Sequence, residues 1–190
     1  MIKRDGGPAF FMQERMGLGG KPFQTYKFRT MVQGAEKLGP PVTSGKDPRI
    51  TVIGNLLRKT KLDELPQLIN VALGQVSLVG PRPEVPRYVM EWPLEDKKVI
   101  LSVKPGITDY GSLIYSNEQD ILASSENPEE QYIEDILPHK IKLYRKYLED
   151  QSLWLDFRII LGTIAKIAGL KVTYILPELK NEMPTRNFAA

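Results

Sequence analysis

The chain has 190 residues, enough for one domain with a sizeable core, and its 26 Lys and Arg against 23 Asp and Glu leave a net charge of +3 and a pI near 9.0. That mild excess suits anionic partners such as nucleotides, phospholipid surfaces or nucleic acid, and selects none of them. With no cysteine and His139 as the single histidine, disulfides, Cys/His zinc sites and Ser-His or Cys-His catalysis are nearly excluded, so acid-base or metal chemistry has to rest on carboxylates.

Residues 1 to 20 are rich in glycine and read as loop around a short run, "PAFFMQERM". No signal-peptide core follows Met1, and no run reaches the ~18 apolar residues of a membrane span, so the chain reads as cytosolic in character. "KPFQTYKFRTM" (21–31) alternates like a strand, which would put Lys27 and Arg29 on one face and Tyr26 and Phe28 on the other. "LGPPVTSGKDPR" (38–49) is a surface loop by its turn residues. From Ile50 to Leu73 the pattern is helical and interrupted by Pro66, and "QVSLVG" (75–80) is a short buried strand leading into the stiff "GPRPEVPR". "SVKPGITDYGSL" (102–113) is a further Pro-Gly turn, residues 129–150 form a charged helix, and 153–170 form a second helix that is apolar over more than half its circumference. With no internal repeat, residues 1–190 are taken as one domain.

"KLDELPQL" (61–68) places Asp63 beside Glu64 among Arg58, Lys59 and Lys61. The plain reading is a solvated helix start whose acids complement the macrodipole, with Thr60 and Asp63 as a capping box. The chemical reading starts from helical neighbours lying about 100° apart: one carboxylate could attack a phosphorus while the other holds a magnesium ion or handles a proton. A carboxylate attacks phosphorus only when cations neutralise the phosphoryl oxygens, and Lys27, Arg29, Arg58 and Arg82 are available for that. Arg82 in "GPRPE" has prolines on both sides, which either hold its planar fork ready for a phosphate or simply build a rigid turn.

Taken together, "KPFQTYKFRTM", "LRKTKLDELPQLINVALGQVSLVGPRPE", "VKPGITD" and "SLWLDFRIILGTI" resemble, in order and spacing, the bacterial sugar transferases, the monotopic phosphoglycosyl transferases, from about Gly6 to Gly169. The resemblance implies transfer of a sugar phosphate from a nucleoside diphosphate sugar, a UDP-sugar in the first instance, to polyprenyl phosphate through an aspartyl-phosphosugar. It makes Asp63 the nucleophile, Glu64 the Mg²⁺ ligand and a proton handler, Lys27 the essential strand lysine and Asp156 the late acid; Glu64, Asp63 and Asp156 are then the expected metal set, and Arg29, Arg58 and Arg82, from the reading of the cations above, the expected phosphate-binding residues. The expected fold is α+β: a helix-rich single domain with a small β element and amphipathic interfacial helices.

Expected partners are the nucleotide sugar, polyprenyl phosphate and the membrane surface at the cytoplasmic face of the bacterial inner membrane, with no nucleic acid and a homodimer left open. The apolar segment with which the family normally begins is absent, so the chain reads as a truncated piece with a supplied Met or as a short member, truncation being the favoured expectation. On the helical wheel Leu153, Phe157, Ile160, Ile164 and Ile167 make one stripe, Asp156 sits at its border, and Leu155 and Ile159 lie off it, which suits either interfacial contact or a core helix or protein interface. Lys61 stands where the family often has a small hydroxyl, "TDYGS" departs from its usual continuation, and the polar residues 114–135 carry no assigned mechanism. A nucleic-acid-binding module and an idle assembly scaffold are the alternatives; the first predicts no role for Asp63, and the second the loss of a key acid or cation, all of which are present.

Overall fold

The structure is a computed structural model that describes residues 7–39, 42–43 and 47–183. Part of the 38–49 loop lies outside the described residues. Two small sheets and a set of short helices make an α+β fold. Strands β1 (Phe10–Met16) and β2 (Pro22–Phe28) form an antiparallel hairpin with Phe10 opposite Phe28 and Phe11 opposite Lys27. The "FFMQERM" run is therefore a strand rather than part of a loop. Its own propensity is mixed, and pairing with β2 through the turn at Gly19 and Gly20, both at positive φ, settles its conformation.

Helix α1 (Val52–Lys59) and helix α2 (Gln67–Ala72) follow, separated by a tight 3₁₀ turn over Leu62–Glu64. Strand β3 (Ser77–Val79) then pairs in parallel with β4 (Gly106–Thr108), Ser77 opposite Gly106 and Val79 opposite Thr108. A parallel pair needs a crossover, supplied here by α3 (Pro86–Met90) and α4 (Leu94–Ile100). The two chains approach so closely that a Cβ on Gly106 would lie 2.1 Å from the Gly80 nitrogen.

Helices α5 (Tyr110–Ile114), α6 (Glu118–Ile121) and α7 (Pro128–Gln131) lead through a π-helical turn into α8 (Leu137–Asp150) and then α9 (Leu153–Ile167). Charged as it is, α8 buries Leu137, Ile141, Tyr144 and Tyr147, one face at helical spacing. These side chains meet Tyr110, Leu122, Ile136, Ile159, Leu176 and Leu179 in the centre of the core. The polar stretch 114–135 thus contributes Ile121, Leu122 and Tyr132 to the interior.

The orientation of α9 differs from the wheel. Leu155 (5 % exposed) and Ile159 (0 %) point into the core with Gly162 and Ala165, while Leu153 (90 %), Phe157 (50 %), Ile164 (59 %) and Ile167 (56 %) face outward. The reason is packing: Gly162 lets Leu113 and Leu176 approach, so the small-residue side of the helix is the one that fits. Burying Leu155 and Ile159 contributes about 1.5–3 kcal/mol each. No helix among the described residues is long and apolar enough to cross a membrane.

Candidate active site

The turn that carries Asp63 and Glu64 is fixed from both ends. Thr51 caps α1 by accepting from the Gly54 nitrogen at 2.9 Å, and its own nitrogen donates to the Thr30 carbonyl at 2.9 Å. Gly54 presses against that same carbonyl, where a Cβ would lie 1.8 Å from the oxygen. This brings Arg58 Nε to Thr30 Oγ1 at 2.8 Å, anchoring the last turn of α1 to the chain that leaves β2.

Helix α1 stops before Pro66. The Thr60 hydroxyl donates back to the Leu56 and Leu57 carbonyls at 2.9 and 3.1 Å, so it closes α1 and forms no capping box with Asp63. Lys61 then adopts φ 57°, the only non-glycine at positive φ among the described residues, and reverses the chain into the 3₁₀ turn. Pro66 serves instead as the first residue before α2, where its missing N–H costs nothing.

Asn70 ties this turn to the hairpin. Fully buried, it accepts from the Tyr26 nitrogen at 3.1 Å and donates to the Gln24 carbonyl at 2.7 Å, which sets β2 beside the turn. Lys27 Nζ thereby reaches Glu64 Oε1 at 3.0 Å. From the other side Arg82 Nη1 donates to Glu64 Oε2 at 3.0 Å and to the Ile107 carbonyl at 3.3 Å, while Nη2 donates to Glu64 Oε1. The prolines around Arg82 do hold its fork, and the acceptor they present it to is a protein carboxylate.

About a fifth of each of these three side chains reaches solvent (18 %, 20 % and 21 %). Burial alone would raise the Glu64 carboxyl, but Arg82 and Lys27 outweigh it and hold the group well below the usual range. Burial lowers Lys27 against the pull of Glu64. Asp63 is shifted the other way: burial, then the Glu64 charge, raise its carboxyl, opposed by Lys27, Arg58 and Lys61. Two adjacent carboxyls are therefore shifted in opposite directions, Glu64 down by its two cations and Asp63 up by burial. Asp63 Oδ1 and Arg58 Nη1 are both buried and both without a hydrogen-bond partner. Burial lowers Arg58, and Asp63 is the first charge that restores it.

The remaining expected residues stand apart. Arg29 is buried and donates to the Pro8 carbonyl at 2.7 Å and the Met31 carbonyl at 3.4 Å, holding the start of the hairpin. Asp156 lies in the first turn of α9 and accepts from the Tyr147 hydroxyl at 2.8 Å. Among the described residues no three His, Cys, Asp or Glu side chains come together to hold a metal, so the structure does not join Asp156 to Asp63 and Glu64 as a three-carboxylate set.

Sequence reasoning missed the clamp beneath Arg82. Buried Glu84 accepts from Arg15 Nη1 at 3.0 Å and from the Tyr132 hydroxyl at 2.6 Å, while Arg15 also donates to the Pro83 carbonyl at 3.0 Å. Asp109, in the unusual "TDYGS", caps α5 through Ser112 N and Oγ, both at 2.7 Å. An acid flanked by proline and valine, as in "RPEVP", was the available signal for Glu84.

Residues 1–169 match the sequence model of a family described as bacterial sugar transferase. The UDP-glucose:undecaprenyl-phosphate glucose-1-phosphate transferase of Escherichia coli is 37 % identical over 172 residues, 88 % of this chain and 34 % of that protein. The UDP-N-acetylgalactosamine-undecaprenyl-phosphate N-acetylgalactosaminephosphotransferase of Aeromonas hydrophila is 34 % identical over 165 residues, 85 % of this chain and 36 % of that protein. An uncharacterized sugar transferase of Bacillus subtilis is 37 % identical over 164 residues, 85 % of this chain and 71 % of that protein. The chain thus spans about a third of the length of the first two.

Proposed function

The chain belongs to the bacterial sugar transferase family, and on that premise we propose that it transfers a sugar phosphate from a nucleoside diphosphate sugar, a UDP-sugar first of all, to polyprenyl phosphate at the cytoplasmic face of the bacterial inner membrane. The observation that carries this reading is two buried atoms without a hydrogen-bond partner, Asp63 Oδ1 in the turn and Arg58 Nη1 in the last turn of α1. A buried donor and a buried carboxylate oxygen left without hydrogen bonds cost free energy unless a ligand engages them, and a phosphoryl group does so by accepting from Arg58 and presenting its phosphorus to Asp63 Oδ1.

Asp63 Oδ1 attacks the phosphorus that bears the sugar. The bond from that phosphorus to the bridging oxygen breaks, the nucleoside monophosphate leaves with the electron pair, and the sugar phosphate remains as an acyl phosphate on Asp63. An oxygen of polyprenyl phosphate then attacks the same phosphorus and releases the Asp63 carboxylate, giving the polyprenyl-diphosphate-sugar. Arg58 binds the phosphoryl oxygens as charge develops. Glu64, fixed by Lys27 and Arg82, keeps those two cations in place beside the nucleophile and raises Asp63.

A magnesium ion fits here in the mode in which one carboxylate shares it with substrate phosphates: Glu64 Oε2 accepts a single hydrogen bond, which leaves Asp63 Oδ1 to the phosphorus. Glu64 would hold it, without Asp156, and it would supply neutralisation of the diphosphate oxygens. The test is initial-rate kinetics with a UDP-sugar panel and undecaprenyl phosphate. Parallel double-reciprocal lines for the wild type and no turnover for Asp63→Asn are expected. Turnover by Asp63→Asn within about tenfold of wild type, 1.4 kcal/mol in barrier, would exclude Asp63 as nucleophile.

A further inference from the structure

We propose that Glu84, held between Arg15 and Tyr132, is a positioning residue that sets Arg82 against Glu64, the neighbour of the nucleophile, an inference that rests on the transfer reaction proposed above. Arg82 stands between Pro81 and Pro83, and this short segment is fastened at both ends. At its start the Gly80 nitrogen donates to the Thr108 carbonyl at 3.1 Å and the Gly106 nitrogen to the Pro81 carbonyl at 3.0 Å, which ties it to β4. At its end Arg15 Nη1 donates to the Pro83 carbonyl and to Glu84 Oε1, both at 3.0 Å, and the Met16 nitrogen donates to the Glu84 carbonyl at 2.9 Å, which ties it to β1. The two prolines restrict the backbone on either side of Arg82, so a shift of Glu84 passes to the guanidinium instead of being absorbed on the way.

These contacts close a ring. Residues paired across an antiparallel hairpin share a face, as do alternate residues of one strand, so Arg15, opposite Phe23, and Lys27, opposite Phe11, lie on the same face of β1 and β2. Lys27 Nζ meets Glu64 Oε1 at 3.0 Å, Arg82 meets the same carboxylate, and two residues beyond Arg82 the chain returns to the hairpin through Glu84 and Arg15. The Arg15–Glu84 pair therefore sets the spacing between the two cations that converge on Glu64, one from the hairpin and one from the loop.

Glu84 is a carboxylate with no ligand to serve. It is buried, and protein donors take both of its oxygens: Arg15 and the Val85 nitrogen, at 3.3 Å, on Oε1, and the Tyr132 hydroxyl, at 2.6 Å, on Oε2. Stability alone gives little reason for such a group, because well-packed apolar side chains in place of a buried ion pair are often as stable or more so. What the charge adds is geometry, a fixed direction for the chain that leaves Arg82. Tyr132 contributes from the far side, in the π-helical turn, with Lys140 Nζ 3.5 Å from its hydroxyl. The acidic stretch 114–135 thereby has a part in the site as well as in the core.

The test is an NMR titration of the Glu64 carboxyl in the full chain, its Glu84→Gln and its Tyr132→Phe variants, beside single-turnover release of UMP from a panel of UDP-sugars. Removing the Glu84 charge acts through space to favour ionised Glu64, so charge alone would lower its midpoint or leave it in place, and a general loss of stability would not move it. Displacement of Arg82 raises it. A raised midpoint is expected in Glu84→Gln and also in Tyr132→Phe, which removes no charge and keeps its ring against Tyr88 and beneath Lys140 should the first variant not fold. The maximal rate of UMP release is expected to fall at least about tenfold in Glu84→Gln, 1.4 kcal/mol in barrier, and about threefold in Tyr132→Phe. The half-saturating donor concentration should hardly change, because Arg82 is bonded to Glu64 rather than to the donor. A midpoint lowered or unmoved in either folded variant overturns the positioning role, and so do raised midpoints with wild-type rates. A wild type that releases no UMP with any donor refutes the transfer reaction, and raised midpoints would then still show Glu84 setting Arg82 against Glu64.

Discussion

The Glu64 clamp makes a quantitative prediction, because removing one partner strands the other. In Arg82→Ala the protein loses the fork to both Glu64 oxygens and the contact with the Ile107 carbonyl, leaving Lys27 as the carboxylate's remaining ion-pair partner. Breaking a fully buried pair costs about 3–5 kcal/mol and an exposed pair below about 1 kcal/mol. With a fifth of each side chain reaching solvent and bidentate geometry, about 2–3 kcal/mol is expected, or about 5–10 °C in Tm for a chain of this size. Glu64→Ala should cost at least as much, since it strands two cations. The assay is a double-mutant cycle by urea unfolding at neutral pH, where the coupling energy should be about 2 kcal/mol. Glu64 is depressed below its ordinary 4.5, so its contribution is present above that value and lost as the pH falls through the folded-state value. A coupling below about 0.5 kcal/mol, or one unchanged in acid, would refute the clamp as an electrostatic device.

Asp63 carries the opposite sign. Its carboxyl is raised above 3.8, so the ionised form costs stability at neutral pH and protonation relieves that cost as the pH falls through the raised value. Asp63→Asn should therefore melt at or above the wild type at pH 7, with the gap closing in acid; a melting temperature lowered by more than about 4 °C, roughly 1 kcal/mol, would show that the charge is structurally required. Gly54→Ala drives a methyl into the Thr30 carbonyl, 1.8 Å away, and should cost about 2 kcal/mol or more; a neutral urea midpoint would show that α1 can slide off that contact. Chelation should stop nucleotide release and Mg²⁺ restore it, and activity indifferent to chelator would remove the metal from the reaction.

The residues of the site were legible one by one, and their arrangement was not. Strand parity placed Lys27 on a face away from Tyr26 and Phe28, but which carboxylate it meets depends on Asn70 drawing β2 against α2, a long-range choice. Proline is the visible helix breaker, so Pro66 attracted the break that Lys61 makes by entering a conformation its residue type does not advertise. Arg82 was read as waiting for phosphate because its ion partner lies 18 residues away in the chain. A helix as apolar as α9 has two credible inner faces, and the packing of Leu113 and Leu176 onto Gly162 decides between them. Composition hid the core residues of 114–135, where Tyr132 and Leu122 sit among acids.

The central claim is that Asp63 becomes covalently bound to the sugar phosphate. Intact mass of the chain after incubation with Mg²⁺ and a panel of UDP-sugars, with Asp63→Asn alongside and fragmentation to locate the modification, tests it without the lipid acceptor. The account predicts one sugar-phosphate mass on the wild type, located at Asp63, with one UMP released per adduct and none on Asp63→Asn. Release of UMP with no protein-bound phosphate, or an adduct on any other residue, would contradict it.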